Sequence, residues 1–317
     1  MMSGKRRIGW LFVVLLFLIG WGTGCVARQP ASVSKEAATA AVPGAAPSRP
    51  LVIAHRGARS LAPENTLAAA RQAWAAGADL WELDVTLTAD KEPVVMHDDT
   101  LRRTCNVEEV FPQRQRQPVG QFTLTEVQNL DCGSWFNEED PFGQIAAGAV
   151  SEADQRSYVG EQAPSLRRAL EWTLEQGWRV NVELKRQPTA QDGRVLVEKT
   201  VALIEELGLG DSAVISSFEH DYLALVEQAA FHPTTQAVSS KHIRDLPAYL
   251  NQTGIDGCNP KAQAWSVGDL ADLSQRGIAL NVWTVNDEQT MRALINAGVS
   301  GIITDYPQRL VEMLSEQ

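Results

Sequence analysis

"LVIAHRGARSLAPENTLAA", Leu51 to Ala69, opens the body of this 317-residue chain. Leu51 to Ala54 are four apolar residues and read as a short buried strand, and Gly57 permits a sharp exit or close approach by a ligand. No G-x-G-x-x-G follows that strand, so the best marker of a doubly wound dinucleotide-binding sheet is missing. Strand and helix signals then alternate over roughly 250 residues, which favours a (β/α)8 TIM barrel. That fold would set His55 and Arg56 at the C-terminal end of the first strand, where parallel α/β proteins place chemistry. Taken alone, the pair suits a satisfied core imidazole and a structural ion pair equally well.

Working outward, strand candidates are "LVIAH", "LWELDV", "PVVMHD", "WRVNVELK", "AVISSF", "TTQAVS", "GIDGC", "ALNVWTV" and "GIIT". Helices are expected over about 64–76, 165–176, 195–207, 219–230, 266–276 and 288–297. Nine strand candidates for eight barrel places make one peripheral or spurious, and "GIDGC" is the least convincing. Leu166, Leu170 and Leu174 share one helical face, as do Val197, Val201 and Ile204, and both faces read as core. The folded domain is expected over 50–317. Within it, residues 106–163 lack strong periodicity and read as a loop-like insertion over one mouth of the barrel, too poor in apolar residues for a core of their own.

In "WELDV", alternation puts Glu82 and Asp84 on one strand face and Trp81, Leu83 and Val85 on the other. Adjacent carboxylates repel and resist burial unless a cation joins them. In isolation the pair would also suit a solvent-facing surface. "NVELKR" adds Glu183 and Lys185, again two residues apart, so three acids could converge on one divalent cation with Lys185 beside them. An all-oxygen set suits Ca2+ or Mg2+ better than zinc, without choosing between the two.

His97 ends "PVVMH" as His55 ends "LVIAH". Two imidazoles about a reacting centre can divide the proton transfers of a hydrolysis, while Arg56 and a metal hold phosphoryl oxygens. His220, His232 and His242 fall in helical or linking segments and are weaker candidates. Phe218 and Trp283 follow apolar runs at expected strand ends and read either as core caps or as contacts to an apolar face of a bound ligand. Asp305, in "TDYP", reads either as a residue that orients a site group or as a cap of the terminal helix, with capping the favoured reading.

"HRGARSLAPENTLAA", "GADLWELDVTLTADKEPVVMHDDTLRRTC", "NVELK", "SSF", "NVWTVN" and "GIITDYP" occur in this order between Leu51 and Arg309. Together they resemble the glycerophosphodiester phosphodiesterase family. The resemblance implies a metal-dependent (β/α) barrel that hydrolyses glycerophosphodiesters such as glycerophosphocholine or glycerophosphoethanolamine to sn-glycerol 3-phosphate and an alcohol. It implies metal binding by Glu82, Asp84 and Glu183, acid–base roles for His55 and His97, and phosphate contacts from Arg56 and Lys185. Glu64, in "PENT", falls on the family's site glutamate near metal or substrate; its rival reading is a carboxylate at a helix start. Attack by the glycerol 2-hydroxyl, forming a cyclic phosphate, and direct attack by water both remain open. "LRRTCN" carries Cys105 where threonine is more usual. The competing readings are a phospholipase acting on lipid headgroups and a non-catalytic phosphodiester-binding lipoprotein.

Formal net charge is −11, and without Lys5, Arg6 and Arg7 the remainder carries −14, so no basic stripe for nucleic acid is present. "KRR" precedes a 14-residue apolar run from Ile8 to Trp21 and then "GTGC". Residues 1–25 therefore read as an export signal or a lipoprotein signal lipidated at Cys25, or as an uncleaved membrane anchor. Gly22 departs from the lipoprotein pattern, which usually has leucine there. Residues 26–49, rich in Ala, Ser and Pro, read as a tether, and the protein is expected in the bacterial envelope or periplasm, attached to the membrane through its N-terminus. Cys105 and Cys132 are the expected disulfide partners, and Cys258 is left over. Oligomeric state is not legible.

Overall fold

The computed structural model describes residues 49–316. The readings made on residues 1–25, on Cys25 and on the tether before Arg49 lie outside the described residues. In chain order the elements begin with β1 (Leu51–Ala54), α1 (Leu67–Ala75), β2 (Leu80–Leu87) and β3 (Pro93–Val95). Four short helices follow: α2 (Val107–Val110), α3 (Leu124–Gln128), α4 (Ser134–Glu139) and α5 (Glu152–Tyr158). The chain continues through α6 (Leu166–Glu175), β4 (Arg179–Leu184), α7 (Ala190–Glu206), β5 (Ala213–Ser217), α8 (His220–Glu227) and β6 (Thr234–Ser239). It ends with α9 (Leu246–Thr253), β7 (Gly257–Pro260), α10 (Val267–Gln275), β8 (Ala279–Val282), α11 (Glu288–Ala297), β9 (Gly301–Thr304) and α12 (Pro307–Ser315).

Strands β1, β2 and β4 to β9 pair in parallel around a ring, and contacts of β1 with both β9 and β2 close it. This is the (β/α)8 barrel that the alternation of signals implied. Side-chain alternation along β2 sorts the two layers. Trp81, Leu83 and Val85 face the helices, where Trp81 packs against Trp172 and Trp178 with ring centroids 6.3 and 6.4 Å away. Leu80 faces inward onto Ile53 and Ile303, and Glu82 and Asp84 follow on that inner face towards the C-terminal mouth.

All nine strand candidates are strands, but the peripheral one is not "GIDGC". The segment "PVV" forms β3, which runs antiparallel to β2 with Val85 opposite Val95 and lies outside the ring. The turn "TADKE" causes the reversal: Lys91 adopts φ 61° and its N–H donates to the Thr88 carbonyl at 3.0 Å. β7, shifted to Gly257–Pro260, is a true barrel stave between β6 and β8. Its weak apolar signature reflects Gly257, where a Cβ would come within 2.7 Å of the Ala279 carbonyl oxygen of β8.

Two further expectations change. Leu166 and Leu170 are core, but Leu174 is 45% exposed: steps of four residues overshoot the 3.6-residue turn, so Leu174 drifts off the face that Ala169, Trp172 and Thr173 keep buried. The segment 106–163 is not loop-like: it carries α2 to α5 and an apolar cluster of Leu101, Val107, Val119, Phe122, Val127 and Leu130. Helices of four to seven residues are too short to display a 3.6-residue period. The cluster borrows Val94 and Met96 from the β3 hairpin, and the Cys105–Cys132 disulfide staples it, so a small apolar content suffices.

Candidate active site

Glu82 and Asp84 of β2 and Glu183 of β4 offer carboxylate oxygens that all lie within 4.8 Å of one another. Strand register places them: Asp84 stands directly opposite Glu183. Burial pushes the Glu82 carboxyl well above its ordinary range, and repulsion from Asp84 and Glu183 adds to this. Glu183 is raised for the same two reasons, with Lys185 opposing. Burial acts on Asp84 in the same sense, but Arg56 and Lys185 outweigh it and hold that carboxyl below its ordinary range. The three acids are thus short of positive charge, and a hard divalent cation with oxygen ligands would supply it.

The cations at the rim are fixed by these acids. Lys185 Nζ donates to Glu183 Oε1 at 3.1 Å and lies 3.4 Å from Asp84 Oδ1. The Arg56 backbone N–H donates to Glu82 Oε2 at 2.8 Å, and its Nε is 3.3 Å from Asp84 Oδ2. Arg56 achieves this in a left-handed conformation, φ 54°, followed by Gly57 at φ 78°. A Cβ on Gly57 would approach the Ala69 backbone to 2.6 Å, so the glycine is required for β1 to turn onto α1. Asn65 completes the cradle by donating from Nδ2 to Asp84 Oδ2 at 2.9 Å and accepting from the Asp84 N–H at 3.2 Å.

Each histidine at this mouth has a carboxylate on Nδ1. His55 lies 2.6 Å from Asp305 Oδ1, and His97 lies 2.7 Å from Asp98 Oδ1. Both aspartates are held below their ordinary range. Burial opposes this in each case, but the hydrogen bond to the imidazole prevails, with Arg103 adding to the effect at Asp98. An ionised carboxylate only accepts, so Nδ1 of each ring donates to its aspartate and Nε2 is the nitrogen left free of that contact. Burial lowers the His55 pKa, with Arg56 and Arg59 assisting and Asp305 opposing, which favours the neutral base at ordinary pH.

Glu64 is buried and gathers three guanidinium groups. Arg56 Nη1 donates at 2.9 Å, Arg59 Nη2 lies at 2.9 Å, and Arg103 donates from Nη1 and Nη2 at 3.0 and 2.7 Å. Burial raises its pKa, but Arg103, Arg56 and Arg59 together bring it down to about 2. α1 itself starts after the Thr66 cap, so Glu64 is not a carboxylate of that helix's first turn.

Residues 55–309 match the Glycerophosphoryl diester phosphodiesterase family. The chain belongs to that family. It is 32% identical over 279 residues to a glycerophosphodiester phosphodiesterase of Caldanaerobacter subterraneus subsp. tengcongensis, covering 83% of this chain and 97% of the relative. A Bacillus subtilis glycerophosphodiester phosphodiesterase is 31% identical, covering 82% of this chain and 85% of its own length. Among solved structures, an Oleispira antarctica phosphodiesterase in complex with the product sn-glycerol-3-phosphate superposes with a TM-score of 0.71 at 26% identity, covering 84% of this chain and 97% of that one.

In this glycerophosphoryl diester phosphodiesterase fold, the remaining candidates divide. Phe218, after β5, meets Trp283, after β8, edge to face with centroids 5.5 Å apart, and Trp283 Nε1 donates to the Asn259 carbonyl at 2.7 Å. This pair forms an aromatic wall on the same mouth, with Phe218 43% exposed. His220 is tied to the Tyr249 hydroxyl and the Val238 carbonyl, His232 lies 4.0 Å from Glu227, and His242 stacks near Trp265; none joins the acidic trio. Asp305 does not cap α12, whose first turn has no side-chain cap; it binds His55 and accepts from Asn286 Nδ2 at 2.7 Å. Sequence reading passed over Asn65, Asp98, Arg59 and Arg103. Asn65 and Asp98 sit next to residues it had singled out, in "PENT" and "HDD". Arg103 carried no signal beyond its charge.

Proposed function

We propose that the chain hydrolyses glycerophosphodiesters to sn-glycerol 3-phosphate and an alcohol, with His55 and His97 as its proton-transfer groups. The observation that carries this reading is the pairing of two carboxylate-backed histidines with the trio Glu82, Asp84 and Glu183 at one barrel mouth. His97 also lies near enough to that trio to act electrostatically on both Asp84 and Glu183.

In this reading Arg56 and Lys185 bind the phosphoryl oxygens, and the Phe218–Trp283 wall takes the glycerol carbons or the leaving alcohol. His55 removes a proton from the attacking oxygen, either the substrate's own 2-hydroxyl or water. His97 gives a proton to the departing alcohol oxygen. Glu82, Asp84 and Glu183 would hold one divalent cation, Ca2+ or Mg2+; when bound it neutralises charge on the phosphoryl oxygens. Glu64 acts through the arginines, keeping Arg56 oriented towards the phosphate.

The test is release of sn-glycerol 3-phosphate from glycerophosphocholine with Ca2+, Mg2+ or chelator, beside His55→Ala, His97→Ala and phospholipid vesicles. Cation-dependent product, lost in both variants, is expected. Turnover of vesicle lipid but not of glycerophosphocholine would favour the phospholipase reading, and tight binding without product a binding protein.

We further infer export and attachment to the cell envelope from "KRR", the apolar run 8–21 and Cys25. Labelling with a radioactive fatty acid that disappears in Cys25→Ser would support lipidation. Recovery of the full chain from the cytosol would reject export.

A further inference from the structure

We propose that Arg103, carried at the edge of the insertion, is the positioning residue for leaving-group protonation: it fixes Asp98 so that His97 presents Nε2 to the departing oxygen. The inference rests on the hydrolysis proposed above. Arg103 Nε donates to Asp98 Oδ2 at 2.7 Å and Nη2 to Asp98 Oδ1 at 2.9 Å. Its Nη2 and Nη1 also donate to Glu64 at 2.7 and 3.0 Å. A guanidinium has five N–H donors, so these contacts leave one, on Nη1, and little capacity to clamp a phosphate as well. The group is therefore occupied as a brace between two carboxylates. One, Glu64, is anchored by Arg56 and Arg59; the other, Asp98, is the partner of His97 Nδ1.

The brace is needed because Asp98 is adjacent to His97 in sequence and its side chain is 27% exposed, so chain connectivity alone does not hold its carboxylate against the ring. Two parallel N–H···O contacts from a planar group fix the carboxylate plane, which a single contact cannot do. Arg103 is itself steadied from the insertion. The Trp135 ring of α4 lies 5.9 Å from its guanidinium carbon, and Cys105, two residues on, is bonded to Cys132. The insertion thus reaches the chemistry through one side chain, linking its packing to the orientation of a proton donor.

The reaction step defines the test. A new P–O bond forms from the attacking oxygen, whose proton passes to His55. The P–O bond to the leaving group breaks, its electron pair goes to that oxygen, and His97, entering the step as the imidazolium with Nδ1–H held by Asp98, supplies the proton from Nε2 and is left neutral. An alkyl alcohol needs this proton; p-nitrophenolate departs without one. The experiment compares the choline ester and the p-nitrophenyl ester of glycerol 3-phosphate, in the full chain, for the wild type, Arg103→Gln, Arg103→Lys and Arg114→Gln. Arg114 lies inside the insertion and pairs with Glu126, so its variant controls for loosened packing.

For Arg103→Gln, kcat on the choline ester should fall by about 10-fold or more, a part of the roughly 100- to 10,000-fold that general acid catalysis supplies. Its kcat on the p-nitrophenyl ester and both KM values should move far less, and Arg103→Lys should recover part of the loss. The ratio of the two rates is independent of the fraction folded, so poor folding cannot imitate this pattern. Equal losses on both esters, no loss on either, or the same selective loss in Arg114→Gln would overturn the proposal. A wild type inactive on both esters would instead overturn the hydrolytic reading beneath it.

Discussion

Asp305 and His55 stand 250 residues apart in the chain, yet Asp305 Oδ1 lies 2.6 Å from His55 Nδ1. The contact is made because β1 and β9 are neighbours at the seam of the barrel, with Ala54 beside Thr304. Asn286 fixes the other half of Asp305, donating to Oδ2 at 2.7 Å while its own Oδ1 accepts the Asp305 N–H. In Asp305→Asn, the new carbonyl must face the Asn286 donor, so the new amide faces His55 and forces the ring proton onto Nε2. Activity should fall on the order of 100-fold, the scale of general base catalysis. Burial and the two arginines would then act on His55 without the opposing carboxylate. The imidazole pKa falls further, and the acid limb of kcat/KM moves to lower pH. A pH–rate profile unchanged in height and limb would contradict this.

The acidic trio predicts opposite effects on stability and activity. With a chelator present, Glu82 has a raised pKa in the fold, so the folded state holds the proton more tightly than the unfolded chain. Its stabilising contribution is full below the unfolded pKa and is lost as pH rises through the folded value. Glu82→Gln should therefore melt higher than the wild type in chelator at neutral pH. It should also lose both hydrolysis and most of the rise in Tm that added Ca2+ or Mg2+ brings to the wild type. Equal Tm values for the two proteins in chelator would argue against this account of the site.

Closing a loop with a sequence separation of 27 residues, the Cys105–Cys132 bond should contribute about 3.5 kcal/mol by restricting the unfolded chain. Replacing both cysteines by serine is expected to lower the melting temperature measured by calorimetry. A variant melting at the wild-type temperature would show that the apolar cluster of Leu101, Val119 and Phe122 suffices without the staple.

Gly57→Ala should cost about 1–3 kcal/mol, since the new Cβ is both at positive φ and against the Ala69 backbone. Any relief must move the β1–α1 turn, and Arg56 moves with it. A rise in KM for a phosphodiester together with a lower Tm is expected; a loss of Tm at constant KM would separate the turn from phosphate binding.

How far the sequence was legible follows from the range of each signal. Alternation in "WELDV" and "NVELK" acts over two residues, and it brought Glu82, Asp84 and Glu183 to one face as expected, because register across β2 and β4 preserves it. The apolar starts of β1 and β9 were equally plain. For Asp305 the capping reading was preferred over that of orienting a site group because its partner His55 is supplied by ring closure, which no local pattern records. Arg103 was passed over for a similar reason: Glu64 lies 39 residues earlier in the chain and meets it only through the packing of the insertion. The order of Pro93–Val95 and Gly257–Pro260 was inverted because apolar strength measures burial, not membership of the ring.

The insertion leaves and re-enters the barrel at one point. Val94 bridges Ser165, and the Val95 N–H donates to the Pro164 carbonyl at 2.9 Å. A segment whose two ends are already stapled to each other can be lengthened, shortened or exchanged with little change in the closure entropy the barrel must bear. The arrangement is that of a cartridge on a mount: the excursion can change length without straining the eight-stave ring that carries the acids, provided the brace from Arg103 to Asp98 is kept.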